Sequence, residues 1–152
     1  FMLVGFLYER RHTRRISDFG GLKKSMPIYA GIFLFTSFAS IGLPGLNGFV
    51  GEFMILMGSF PTFNVLSSIA AFGVVLAAIY MLWAYQRMFN GELTHEDNKN
   101  VLDLNSKEIV SVAPLLILML FIGLYPSFIE SYVVQDVSVI YESINNTLGL
   151  SK

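Results

Sequence analysis

Two long apolar tracts organise this chain. The stretch from Ser25 through Gln86 carries a single charge, Glu52, and the stretch from Ile109 through Ile129 carries none. A membrane-crossing helix needs about 20 apolar residues, so tracts of this extent predict spans. The pattern divides into a short apolar stretch at 1–8, a long tract at 28–60, a span at 65–89, and a span at 109–129. The stretch 1–8 would cover only about 12 Å as a helix, well short of a bilayer, and reads as the end of a span cut from a longer protein. It lacks the order of a signal peptide, because its basic residues follow the apolar run. On this reading the chain is a C-terminal fragment.

The tract 28–60 is too long for one straight crossing, at about 50 Å against a hydrocarbon core near 30 Å. Gly42-Leu43-Pro44-Gly45 lies at its midpoint. Pro44 removes a backbone donor and biases Leu43 away from the helical region, so the helix is expected to break there. Beyond Glu130 the pattern changes again: Val133, Val137, Ile140, Ile144 and Leu148 recur at helical spacing and predict an amphipathic tail over 130–150. Its polar face lacks the Lys and Arg of an anionic-membrane binder, which favours packing along neighbouring protein over lipid. The expected fold is all-α and integral to a membrane, with the end of one helix, three spans of which the first is discontinuous, and an amphipathic C-terminal helix in a single domain fragment.

Composition sharpens this picture. The chain is 54% hydrophobic and 14% charged, against roughly 25% charged in soluble domains. A net charge of -1 gives no electrostatic footprint for nucleic acid. Nine of the ten basic residues fall in 9–27 and 87–108, which places these loops on one face, the cytoplasmic one by the positive-inside rule, and the C-terminus outside. Tyr8, Trp83, Tyr85 and Tyr125 fall where an aromatic belt would lie. There is no cysteine, which excludes disulfides, thiolate metal centres, iron–sulfur ligation and a Cys nucleophile. His12 and His95 lack partners at ligand spacing, and no catalytic triad can be assembled. Glycines 42, 45, 48 and 51 match neither a dinucleotide fingerprint nor a P-loop.

Few residues remain that could carry chemistry. A carboxylate within a span costs about 2.5–3.5 kcal/mol on insertion scales, so Glu52 is expected to face inward as a proton relay or to pair with a Lys on another helix. Gly45, Gly48, Glu52 and Ser59 share a small, polar helix face. The broken helix at Gly42, Leu43, Pro44 and Gly45 would free carbonyls around 37–41 and offer a partly negative end to a cation or hydrated proton, or else is a simple proline kink. Thr36, Ser37 and Ser40 are candidates for a water path, although such hydroxyls often bond back to the preceding turn.

Tyr8-Glu9-Arg10-Arg11-His12-Thr13-Arg14, Gly20-Gly21-Leu22, and Gly42-Leu43-Pro44-Gly45 followed by Asn47-Gly48-Phe49-Val50-Gly51-Glu52-Phe53 resemble the chain M family of proton-pumping NADH:quinone oxidoreductase, respiratory complex I. The resemblance covers nearly the whole chain up to its tail. The Tyr-Glu-x-x-His-Thr-Arg loop at 8–14 and an acid at 52, where sibling pumps and cation/proton antiporters typically carry Lys, select the M type. The family implies that Glu52 ends a proton path near the outer face, and that NADH, FMN, iron–sulfur clusters and quinone belong to partner subunits, with no cofactor in this chain. Its implied neighbours are sibling antiporter-like subunits and other membrane subunits in the lipid bilayer, in a bacterial inner membrane. The alternative is a subunit of a multi-subunit cation/proton antiporter without redox coupling, and a third is a structural scaffold.

Overall fold

The computed structural model describes residues 1–93 and 95–148, with the side chains of 135 and 145–148 left aside. Among the described residues the α-helices run α1 Met2–Arg11, α2 Pro27–Ser40, α3 Asn47–Ser59, α4 Asn64–Phe89, α5 Ser106–Leu124 and α6 Ser127–Leu148, with short 3-10 turns in the loops and no strand. The all-helical fold class is as the sequence predicts. α4 and α5 are long and apolar enough to cross a membrane: their most apolar 18-residue stretches have mean hydropathies of 2.3 and 2.1, and only 6% of each stretch is buried within the chain. Helices this apolar and this uncovered need lipid or other protein around them.

The packed core lies at one end, where α1, α2 and α4 meet the loops between α1 and α2 and between α4 and α5. Leu3, Leu7, Phe19, Leu22, Met26, Tyr29, Tyr85, Phe89 and Leu104 are buried there. Aromatic rings dominate it, with Tyr85 stacked on Phe89 at 4.7 Å and Phe33 tilted against Phe89 at 5.0 Å between centroids. Tyr85 is therefore a core residue and not part of an aromatic belt: it is 7% exposed and its hydroxyl donates to the Ala30 carbonyl at 3.4 Å. Trp83, two residues earlier, is on the opposite side of α4 and half exposed, with the Arg87 guanidinium 4.7 Å above its ring.

Polar contacts tie the loops of this end into one body. Arg10, at the end of α1, donates to both carboxylate oxygens of Glu108 on α5, at 2.6 and 2.8 Å, and its Nε donates to the Leu102 carbonyl at 2.9 Å. The fork geometry suits guanidinium and carboxylate, and both side chains are mostly buried, 16% and 13% exposed. Glu108 also closes a capping box with Asn105 at the start of α5. His95 and Asn98 reach back to the carbonyls of Ser17 and Asp18, and Arg11 pairs with Asp97 at 3.1 Å. The two basic loops thus sit at the same end of the molecule.

The start of α2 is satisfied from a distant part of the chain. Pro27 at its first position has no N–H to satisfy. The next two amides, of Ile28 and Tyr29, donate to the two carboxylate oxygens of Asp103 at 2.8 and 3.0 Å. Ala30 N–H already reaches the Met26 carbonyl. The long loop after α4 caps the first half of the broken helix, a role that helices ordinarily fill from their own chain neighbourhood.

Within the second apolar tract the helix is divided before 129. α5 starts at Ser106, where the capping box forms, and ends at Leu124, because Pro126 cannot continue it; α6 begins at Ser127. Along α6 the stripe Val133, Val137, Ile140 and Ile144 is half or more exposed. Residues 149 and 150 of the expected tail, and the side chain of Leu148, lie outside the described residues.

The Arg10–Glu108 pair is the main ionic tie between α1 and α5. Arg10→Ala and Glu108→Ala should each lower stability by about 3 kcal/mol, at the lower end for a buried pair given the residual exposure, by leaving one charge unpartnered. The double variant should cost clearly less than the sum. Denaturation of the assembled protein in detergent checks this, and strictly additive losses would show that the pair contributes no coupling.

Candidate functional site

The site is built around the interruption between α2 and α3. α2 ends in a Schellman arrangement: Ile41 caps the helix, Gly42 turns left-handed at φ 73°, and the Leu43 N–H reaches back to the Phe38 carbonyl at 3.0 Å. Glycine alone adopts that φ without strain. Leu46 N–H closes a tight turn onto the Leu43 carbonyl at 3.1 Å, Gly45 again has positive φ, 92°, and α3 restarts at Asn47.

These bonds revise the expected row of free carbonyls. Ser37 and Phe38 are taken by the N–H groups of Ile41 and Leu43. Ala39 presses its carbonyl against Gly48, where any Cβ would collide with it. Ser40 has lost its usual donor, because the residue four on is Pro44, which has no N–H. Facing it, α3 begins without a side-chain cap, and the Asn47 side-chain oxygen is enclosed with no hydrogen-bond partner among the described residues. The interruption therefore sets an acceptor end and a donor end of two helices side by side.

Glu52 is the sixth residue of α3, about 7.5 Å from its start, and is partly buried. Helical side chains lean toward the N-terminus of their helix, so its carboxylate reaches back over the interruption. A Cβ built on Gly42 would stand 2.5 Å from Glu52 Oε2. The one acid of the long apolar tract and the left-handed glycine of the break are thus in direct contact. Ser59, on the same face, bonds instead to the buried Ser67 of α4 at 2.8 Å and fastens the turn between α3 and α4.

Thr36, Ser37 and Ser40 line a cavity of about 430 Å³ between α1, α2, α4 and α5, whose other walls are apolar, among them Phe33, Met81 and Met119. The hydroxyls of Thr36 and Ser37 both donate to the Phe33 carbonyl, at 3.0 and 2.7 Å, as hydroxyls in spans commonly do. Neither Glu52 nor 42–45 lines this cavity. The structure brings Glu52 and the break together, and holds the three hydroxyl residues on the other side of α2.

Sequence reasoning missed Asp103, Arg10, Glu108 and Gly123. The Asn105-x-x-Glu108 spacing is a legible capping signal; the others act over distances that no local pattern reveals. Among the described residues no group of three or more His, Asp or Glu is placed to hold a metal ion.

Comparison with known proteins decides the family. Residues 1–65 match the membrane model described as NADH:quinone oxidoreductase/Mrp antiporter. NADH-quinone oxidoreductase subunit M of Rhodobacter capsulatus is 41% identical over 149 residues, 98% of this chain and 29% of that one. The chain belongs to the subunit M family of NADH:quinone oxidoreductase. The corresponding subunit of Mycobacterium tuberculosis (strain ATCC 25618 / H37Rv) is 42% identical over 126 residues, 83% of this chain and 23% of that one. A chain of the respiratory complex I from Thermus thermophilus with bound NADH superposes with a TM-score of 0.74 at 36% identity, over 83% of this chain and 26% of that one. This chain spans less than a third of the length of the curated relatives it matches. It is an antiporter-like membrane chain of that family.

Gly42→Ala tests the contact at the heart of the site. Strain at the left-handed φ should cost about 1–2 kcal/mol, and displacing the Glu52 carboxylate should add a smaller amount, since it ends a flexible side chain. The loss in stability should be smaller when Glu52→Ala is also present; an equal loss in both backgrounds would mean that the carboxylate does not rest on Gly42.

Proposed function

We propose that this chain is the part of a proton-translocating subunit that carries the last ionisable group of a proton path, Glu52, at a broken helix. The observation that carries the reading is the contact of the Glu52 carboxylate with Gly42, beside Ser40, whose carbonyl lacks its usual helical donor, and the start of α3, which has no side-chain cap. An acid kept inside an apolar tract is costly and faces protein or water rather than lipid. Interrupted helices at membrane depth supply the dipole ends and free backbone groups that bind ions and protonated water in transporters. Here such a helix and such an acid coincide.

In this reading the complex oxidises NADH and reduces quinone in partner subunits, which hold the FMN and the iron–sulfur clusters, and the chain takes part as a translocase subunit without a redox site of its own. Its neighbours are sibling antiporter-like subunits and other membrane subunits, in a bacterial inner membrane with the two basic loops cytoplasmic and the C-terminus outside. The family model that matches the chain also spans antiporters without redox coupling. The roughly 40% identity to chains named as NADH-quinone oxidoreductase subunits favours the redox-coupled form. Thr36, Ser37 and Ser40 are proposed to feed water toward the break from the α1 side, through Ser40 at its edge.

The experiment is Glu52→Gln in the intact complex, which keeps side-chain shape and removes the ionisable group. Protons moved per electron should fall by most of the wild-type value while the complex assembles normally, and NADH oxidation should slow because the coupled step is blocked. Glu52→Asp should keep part of the activity, since a water can bridge a gap of one methylene. Wild-type coupling in Glu52→Gln, at normal assembly, would leave a structural ion pair as the better account.

A further inference from the structure

The glycines of this chain divide sharply by what surrounds them. A Cβ on Gly31 or Gly58 would meet nothing within 4 Å. On Gly123, one residue before the end of α5, it would collide with the Gly45 carbonyl oxygen and stand 2.5 Å from both Gly45 C and Leu46 Cα. All three neighbours are backbone atoms, so no rotamer change relieves the clash, and the interior of a packed protein yields little. The hydrogen that Gly123 carries in the Cβ direction points at the Gly45 carbonyl, the arrangement of a weak Cα–H···O contact between closely approaching helices.

We propose that Gly123 is a positioning residue: α5 braces the interruption through it and so fixes where α3 restarts and where the Glu52 carboxylate lies. The inference rests on Glu52 being the proton-transfer group. The turn 43–46 is held from within by one turn bond, Leu46 to Leu43, with Gly42 just before it and Gly45 inside it, both of positive φ, on which to hinge. Backbone contact from α5 supplies the fixed wall it lacks. Leu124, the next residue, adds its Cδ2 4.0 Å from the Cβ position of Gly45. At its other end α5 is anchored by the Asn105–Glu108 capping box and the Arg10 pair, about 22 Å along the helix from Gly123. The brace is therefore a helix, with Pro114 inside it, that is fixed at the loop end and seated on the break at the other.

The test uses the intact complex with Gly123→Ala, and Gly31→Ala and Gly58→Ala as controls. Gly123→Ala should lower protons moved per electron several-fold in complexes that assemble, with both controls at wild-type coupling. Combined with Glu52→Gln it should add no further loss, because both changes act on the same group. Wild-type coupling in Gly123→Ala, or losses that multiply in the double variant, would overturn the proposal. Should Gly123→Ala block assembly, Leu124→Ala removes the side chain that α5 sets beside Gly45 without inserting an atom; lowered coupling there supports the brace, and wild-type coupling overturns it. The two readings fail separately. Loss in Gly123→Ala beside wild-type coupling in Glu52→Gln defeats the relay, and loss in Glu52→Gln beside wild-type coupling in Gly123→Ala defeats the brace alone.

Discussion

A helix that stops within an apolar tract must find partners for the backbone groups it leaves open, because lipid offers none. The structure around the interruption follows from that constraint. The Schellman turn at Gly42 takes up two carbonyls of α2, Gly48 lets α3 press against a third at Ala39, and Gly123 covers the turn at Gly45 and Leu46. Each solution requires the absence of a side chain. Where the solutions run out, at Ser40 and at the uncapped start of α3, the one acid of the tract leans back over the gap from Glu52.

The opposite end is built on another principle. There the chain is held by charge and by aromatic packing: the Arg10–Glu108 fork, the Asp103 cap on α2, and the rings of Tyr29, Phe33, Tyr85 and Phe89. Asp103 and Glu108 stand close together in the chain, one holding the start of α2 and the other the start of α5. Both helices run from this anchored end toward the interruption. A well-fastened base thus carries a backbone junction assembled almost entirely from glycine contacts, with few polar bonds to restrain it. Fastening and open backbone groups are thus separated along the helices, which is what the proposed ion-handling site would need.

Much of this was legible in the sequence because the signals are local. Gly42-Leu43-Pro44-Gly45 contains both the missing donor and the residue needed at positive φ, and a single Glu in so long an apolar tract is conspicuous by its cost. The helical architecture follows from hydropathy alone. What escaped is non-local. Tyr85 has the amphipathic ring of a belt residue, and only the approach of α2 makes it core. Asp103 looks like one more loop acid until α2 is seen to begin beside it. Gly123 is one glycine in an apolar run, and its role depends on which backbone lies opposite. The end of α5 at Leu124 was signalled by Pro126, yet the apolar residues on either side of that proline carried the expected span past it to 129.

The central claim is that Glu52, set at the break, gains and loses a proton during turnover. Infrared difference spectroscopy of the intact complex, comparing resting and turning-over states, reads that event directly through the C=O stretch of a protonated carboxyl. The account predicts a difference band in this region that disappears in Glu52→Gln, where assembly and cofactor signals remain. Identical carboxyl difference spectra in the wild type and Glu52→Gln would show that this residue does not change protonation state and would contradict it.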